Sequence, residues 1–151
     1  MDALEGGHMV EMMFRYILML DFDHLSYKEA EDILIHRSFT LRYFGLKLER
    51  ALVYKTLHGW HIILHVLSPV PLDDTDICFI QLCLGDDYKR AIYNWPRAKA
   101  RIPCWNTLFS QYEQYQPELS RRLTRILSWL SEHRPEEGIP DEAGEGSEIQ
   151  G

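Results

Sequence analysis

Between Phe14 and Phe22 the side chains alternate, and this period of two constrains the fold more than any other feature of the chain. Phe14, Tyr16, Leu18, Leu20 and Phe22 fall on one side of an extended segment, and Arg15, Ile17, Met19 and Asp21 on the other. Such a segment is a β-strand with one face on a core, because a one-residue slip would turn its apolar set out to water. A helix follows: Ser26 and Glu29 form a capping box, Ala30, Ile33, Leu34, Leu41 and Phe44 recur at helical spacing, and Gly45 stops it. Residues 51–56 and 60–67 are two β-rich runs joined across Leu57-His58-Gly59, which reads as a hairpin, and Pro69 and Pro71 end the second. Asp73 or Asp74 caps a second helix carrying Ile77, Ile80, Gln81 and Leu84, with Gly85 after it. Residues 105–109 supply a short last strand, and a final helix starts near Pro117 with Leu119, Leu123, Ile126, Leu127 and Leu130 on one face.

This order predicts an α+β fold. Its closure is a split βαβ antiparallel sheet, ferredoxin-like or RNA-recognition-motif-like, with helices on one face plus a C-terminal helix. The first and third strands are then central neighbours, so the end of the first meets the start of the third. A length of 151 residues suits one domain, expected over residues 12–134. Residues 1–11 lack periodicity and read as an appended or unstructured leader. Residues 135–151 hold six acids and no Lys or Arg, and their Pro, Gly and Glu content predicts a disordered acidic tail. No apolar run is long enough to span a membrane. Three cysteines without a CxxC pair fit an intracellular protein better than a disulfide framework or a structural zinc site.

The formal charge of −7 argues against nucleic acid until its distribution is considered. Without residues 135–151 the sum is −1, and residues 88–134 carry nine Lys and Arg against three acids. Lys89, Arg90, Arg97, Lys99 and Arg101 interleave with Tyr88, Tyr93, Trp95 and Trp105. Basic and stackable residues so mixed are what a single-strand or template-binding groove uses. A solvated surface with its arginines in salt bridges has the same composition.

The strand ends carry the chemistry. Asp21 and Asp23 share the open face of the first strand, and His61 falls on the open face of the third, so two carboxylates and an imidazole are expected on one exposed patch. Two acids two residues apart on a strand can share Mg²⁺ or Mn²⁺, and a nearby His can bond a phosphate or move a proton. Asp-x-Asp at a strand end also serves plain turn chemistry, and a lone His is often only packed.

These residues resemble the archaeo-eukaryotic primase and primase-polymerase superfamily, in particular its small archaeal and mobile-element members. Residues 16–23, YILMLDFD, look like the first motif, an apolar strand ending in Asp-x-Asp. Residues 56–61, TLHGWH, are similar to the second, Ser-Gly-x-Gly-aromatic-His, with Thr56 for Ser and Leu57 where the first Gly stands. Residues 81–90, 94–97 and 105–109 extend the resemblance to roughly residues 14–110. It implies a nucleotidyltransferase of DNA replication or repair in a cell, plasmid or virus. Asp21, Asp23 and His61 would be catalytic, with Mg²⁺ or Mn²⁺ on Asp21 and Asp23, and Asp86 or Asp87 as the further acid. Thr56, His58, His61 and Arg90 would bind the nucleoside triphosphate. Lys89, Trp95, Arg97, Lys99 and Arg101 would hold single-stranded or template DNA, or RNA, with another replication protein as a possible partner. A non-catalytic nucleic-acid-binding module or replication-complex subunit on the same fold is the alternative.

Overall fold

A computed structural model describes residues 12–140 apart from 109 and 111. The expectations for residues 1–11, for Phe109 and for the tail beyond Pro140 lie outside the described residues. The elements are β1 (Phe14–Asp23), α1 (Tyr27–His36), α2 (Phe39–Tyr43), β2 (Lys47–Thr56), β3 (Gly59–Ser68), α3 (Asp74–Cys83), α4 (Tyr88–Lys99), β4 (Glu113–Tyr115) and α5 (Pro117–Leu130). The four strands form one antiparallel sheet in the order β1-β3-β2-β4. The fold is α+β with a C-terminal helix.

Alternation does what it demands. Leu18, Leu20 and Phe22 of β1 stand beside Ile62, Leu64 and Val66 of β3 and Ala51 and Val53 of β2, all buried. Ala30, Leu34, Leu41, Ile77, Ile80, Leu84, Leu123, Ile126, Leu127 and Leu130 complete one core against this face. Removal of this apolar surface from water is the main driving force of the fold.

Three local expectations change. The single helix expected up to Gly45 is two, α1 and α2, broken at Arg37 and Ser38, where the Ser38 hydroxyl bonds back to the Ile35 carbonyl. Residues 105–108 are not a strand: Trp105 is buried in the core and the Asn106 side chain pairs with Gln81. The fourth strand is Glu113–Tyr115, and it pairs with β2 rather than β1, so β1 is an edge strand beside β3 and not the central strand that the split βαβ closure predicts. Within the expected tail, residues 135–137 form a 3₁₀ turn and Ile139 packs against the core.

Both sheet edges are closed by side chains. Beyond β4, the β2 edge is met by α5: Val53 N–H donates to Ser120 Oγ (2.8 Å), Ala51 N–H to Thr124 Oγ1 (2.9 Å), and Ser128 Oγ to the Leu48 carbonyl (3.3 Å). Residues 120, 124 and 128 are four apart, so one stripe of hydroxyls stands in for a strand. At the opposite edge Met19 N–H donates to Gln81 Oε1 (2.8 Å) and Asp21 N–H to Asp86 Oδ1 (2.9 Å). Arg90 Nη1 donates to the Met19 carbonyl (2.9 Å). An exposed edge would otherwise invite pairing with another chain.

Ser120→Ala and Thr124→Val each leave a backbone donor of β2 without its partner. Each substitution is expected to lower stability by about 1–2 kcal/mol. A shift in the urea midpoint at constant m-value checks it.

Candidate metal and phosphate site

The site is built where β1 ends. Asp21 stands opposite His61 and Asp23 opposite Gly59 in the antiparallel register. The β2–β3 hairpin presses directly on β1 here: a Cβ on Gly59 would lie 2.0 Å from the Phe22 carbonyl oxygen and 2.8 Å from Asp23 Cα. Glycine is required at this position by packing alone. The contact is closed by His24 N–H donating to the His58 carbonyl (2.7 Å).

A third carboxylate arrives from another element. After α3, Gly85 turns the chain at φ +109° against Ile33, a conformation and a space that exclude a Cβ. Asp87 then caps α4, accepting from Lys89 N–H (3.0 Å). Asp21, Asp23 and Asp87 each offer a ligand atom, all within 4.8 Å of one another. The three can hold a metal ion, as oxygen donors suited to a hard cation.

Electrostatics mark Asp21 out. Burial, then the neighbouring Asp23, raise its pKa to about 6, while His61 pulls the other way; Asp86 adds a smaller upward push and Arg90 a downward one. Its Oδ1 is buried and has no hydrogen-bond partner. An orphaned carboxylate oxygen in low dielectric is what a bound cation would satisfy.

Several residues expected at the site do other work. Asp86 is buried, ion-paired to Arg90 at 2.7 Å and accepts from Asp21 N–H, so of the two candidate acids it is Asp87 that joins the cluster. Arg90 has no donor left for a triphosphate. Its guanidinium bonds the Met19 carbonyl, Asp86, Asn106 and, twice, the Thr107 carbonyl, and its side chain is 10% exposed. Thr56 is buried, its Oγ1 accepting from Gly59 N–H (2.9 Å) as part of the hairpin. His58 is exposed at the hairpin tip, its ring 5.8 Å from that of His24. His61 is not on an exposed patch: it is 2% exposed, its Nδ1 lies 2.7 Å from Glu113 Oε2, and its Nε2 lies 3.5 Å from Asp21 Oδ1.

The basic segment is a helix, α4, with three different sides. Ala91, Asn94 and Ala98 are buried. Lys89, Tyr93 and Arg97, four apart, line a cleft of about 380 Å³ that Asp21 and Asp87 also line. Tyr88, Ile92, Trp95 and Lys99 form an exposed outer stripe, and Arg101 follows the helix end, so Trp95, Lys99 and Arg101 do not line this cleft. Glu113 was not marked by any local pattern. It reaches His61 only because β4 pairs with β2. Tyr115 of the same strand lies over Tyr54, with ring centroids 5.4 Å apart, and is half exposed, as is Tyr112.

Comparison with known proteins returned no match: neither a family model, nor a curated protein, nor a solved structure. Among the described residues no helix is long and apolar enough to cross a membrane.

Raising the pKa of Asp21 to about 6 sets the sign of a stability effect. The native state holds this proton more tightly than the unfolded chain does. The stabilisation it gives is therefore full below about pH 4 and is lost as pH rises through 6. Asp21→Asn is expected to stabilise the cation-free protein at neutral pH, by on the order of 2 kcal/mol, and to leave stability at about pH 4 nearly unchanged. Thermal melts of both proteins in chelator across this range check it.

Proposed function

We propose that the chain is a minimal nucleotidyltransferase of the primase-polymerase kind, dependent on Mg²⁺ or Mn²⁺. The observation that carries this reading is the convergence of Asp21, Asp23 and Asp87, of which Asp21 and Asp87 line a cleft together with the Lys89-Tyr93-Arg97 stripe. Carboxylates for a metal beside cations for phosphates is the pairing that phosphoryl and nucleotidyl transfer requires.

In this reading Asp21, Asp23 and Asp87 hold the cation, which neutralises charge on the polyphosphate when bound. Lys89 and Arg97 bind phosphate oxygens along the cleft, and Tyr93 offers a ring on which a base can stack. The substrates are a nucleoside triphosphate and a single-stranded or template strand, DNA or RNA, in replication or repair. The roles first placed on Arg90 and Thr56 pass to Lys89 and Arg97, which have exposed side chains facing the cleft. His61 acts on Asp21 rather than on phosphate.

One observation favours a second reading, a non-catalytic nucleic-acid-binding module. Arg90 and His61, the residues implied to meet the triphosphate, are both committed inside the protein.

Primer synthesis and extension with Mn²⁺ separates the two. As an enzyme, the wild type extends a primed template, and Asp23→Asn or Asp87→Asn lowers the rate at least about 100-fold. Arg97→Ala weakens oligonucleotide affinity and flattens its dependence on salt by about one counterion. Salt-sensitive oligonucleotide binding without any transfer supports the module, and loss of neither activity nor binding in these variants overturns both readings.

A further inference from the structure

We infer that His61 and Asp21 together form a second divalent-cation site, separate from the Asp21-Asp23-Asp87 cluster and joined to it through Asp21, and that Glu113 positions the histidine for it. The inference rests on the reading that this cluster holds a cation.

Three observations support it independently. The first is the ligand pair. Nε2 of His61 and Oδ1 of Asp21 are 3.5 Å apart, too long for a good hydrogen bond. Two donor atoms each about 2.1 Å from one cation at a tetrahedral angle are separated by about 3.4 Å. The gap therefore suits an ion shared between them, with no rearrangement of the β1–β3 register that sets it.

The second is the orphaned oxygen. Asp21 Oδ1 is buried with no hydrogen-bond partner although a ring nitrogen is its near neighbour. A cation on the His61 side would satisfy this oxygen, and the other oxygen of the same carboxylate remains for the cluster with Asp23 and Asp87. The Asp21 side chain is 17% exposed and lines the cleft, which gives the ion a way in.

The third is the support behind the histidine. A carboxylate only accepts hydrogen bonds, so at 2.7 Å from Glu113 Oε2 it is Nδ1 of His61 that carries the proton. Nε2 is thereby left to offer its lone pair toward Asp21. A carboxylate behind the far nitrogen of a metal-binding histidine orients the ring and raises its basicity. Glu113 is brought to this ring by the β2–β4 pairing, from a three-residue strand whose residues are all exposed, 52 positions away in sequence.

A nitrogen and a carboxylate oxygen suit a borderline cation such as Zn²⁺ and are also accepted by Mn²⁺, whereas three carboxylates suit Mg²⁺ or Mn²⁺. Glu113 is a positioning residue in this arrangement, and His61 a ligand.

Mn²⁺ titration with pulsed EPR on the full chain tests it. The wild type is expected to bind two Mn²⁺ per chain, one showing nitrogen modulation from imidazole. His61→Gln should lose the nitrogen signal and one ion while keeping the other. Glu113→Ala, on an exposed strand and so safe for folding, should weaken only the nitrogen-bearing site, by about 10–100-fold, and Glu113→Gln should restore much of it. A single bound Mn²⁺ without nitrogen coupling, or unchanged affinity and stoichiometry in His61→Gln and Glu113→Ala, overturns the mixed site and leaves the three-carboxylate reading standing. Absence of all Mn²⁺ binding overturns both.

Discussion

The arrangement of this protein depends on what Arg90 does at the open edge of β1. An edge strand carries backbone donors and acceptors that need partners, and here they are supplied by Gln81, Asp86 and Arg90 from the α3–α4 corner. Arg90 ties this corner to the sheet on one side and to Asn106 and Thr107 on the other, with every N–H used. A guanidinium so enclosed is a fixed strut, because breaking any one bond leaves a buried polar group unpaired. The strut holds Asp86 against β1, and the next residue along, Asp87, consequently faces Asp21 and Asp23. A purely structural ion pair thus decides where the third carboxylate of the candidate site lies.

The sheet was legible in the sequence because its signal is local and repeated. Alternation over residues 14–22 and 60–67 fixes which side chains share a face, and the expected closure set β1 beside β3, which the sheet keeps although β1 lies at its edge. That adjacency brings the end of β1, with Asp21, to the start of β3, with His61. Helix α4 was not legible for the opposite reason. Its buried stripe is only Ala91, Asn94 and Ala98, its aromatics are exposed, and Pro96 lies within it, so no large apolar side chain marks the face it buries. Burial was equally hidden. A count of positive charges treats Arg90 and Arg97 alike, yet of these two cleft-lining residues one has every donor bonded within the protein and the other is exposed. Glu113 lacked any signal at all, since its place is set by a pairing between β2 and β4 formed late in the chain.

The site also carries a cost in stability. In the cation-free protein Asp21 is a buried carboxylate beside another carboxylate, with its pKa pushed up to about 6. Such a group opposes folding at neutral pH. The core and the two edge closures have to offset it. Nothing in the packing of β1 calls for an acid at position 21, because the Asp21 backbone N–H, not its side chain, makes the edge contact with Asp86.

Charge balance carries this one step further. Asp21, Asp23, Asp86 and Asp87 are gathered at one end of β1, and the cation buried among them is Arg90, which is paired to Asp86. Lys89 and Arg97 approach along α4 but remain at the cleft wall, open to solvent and to its screening. His61 lies between Asp21 and Glu113, so the carboxylate behind the ring adds a further negative charge to this end of the sheet. Four carboxylates against one buried guanidinium leave a local excess of negative charge, which a cation at the unpartnered oxygen of Asp21 would reduce. A fold that assembled these acids only for turn chemistry would have no reason to draw them from two elements, enclose one of them, and leave its oxygen unbonded.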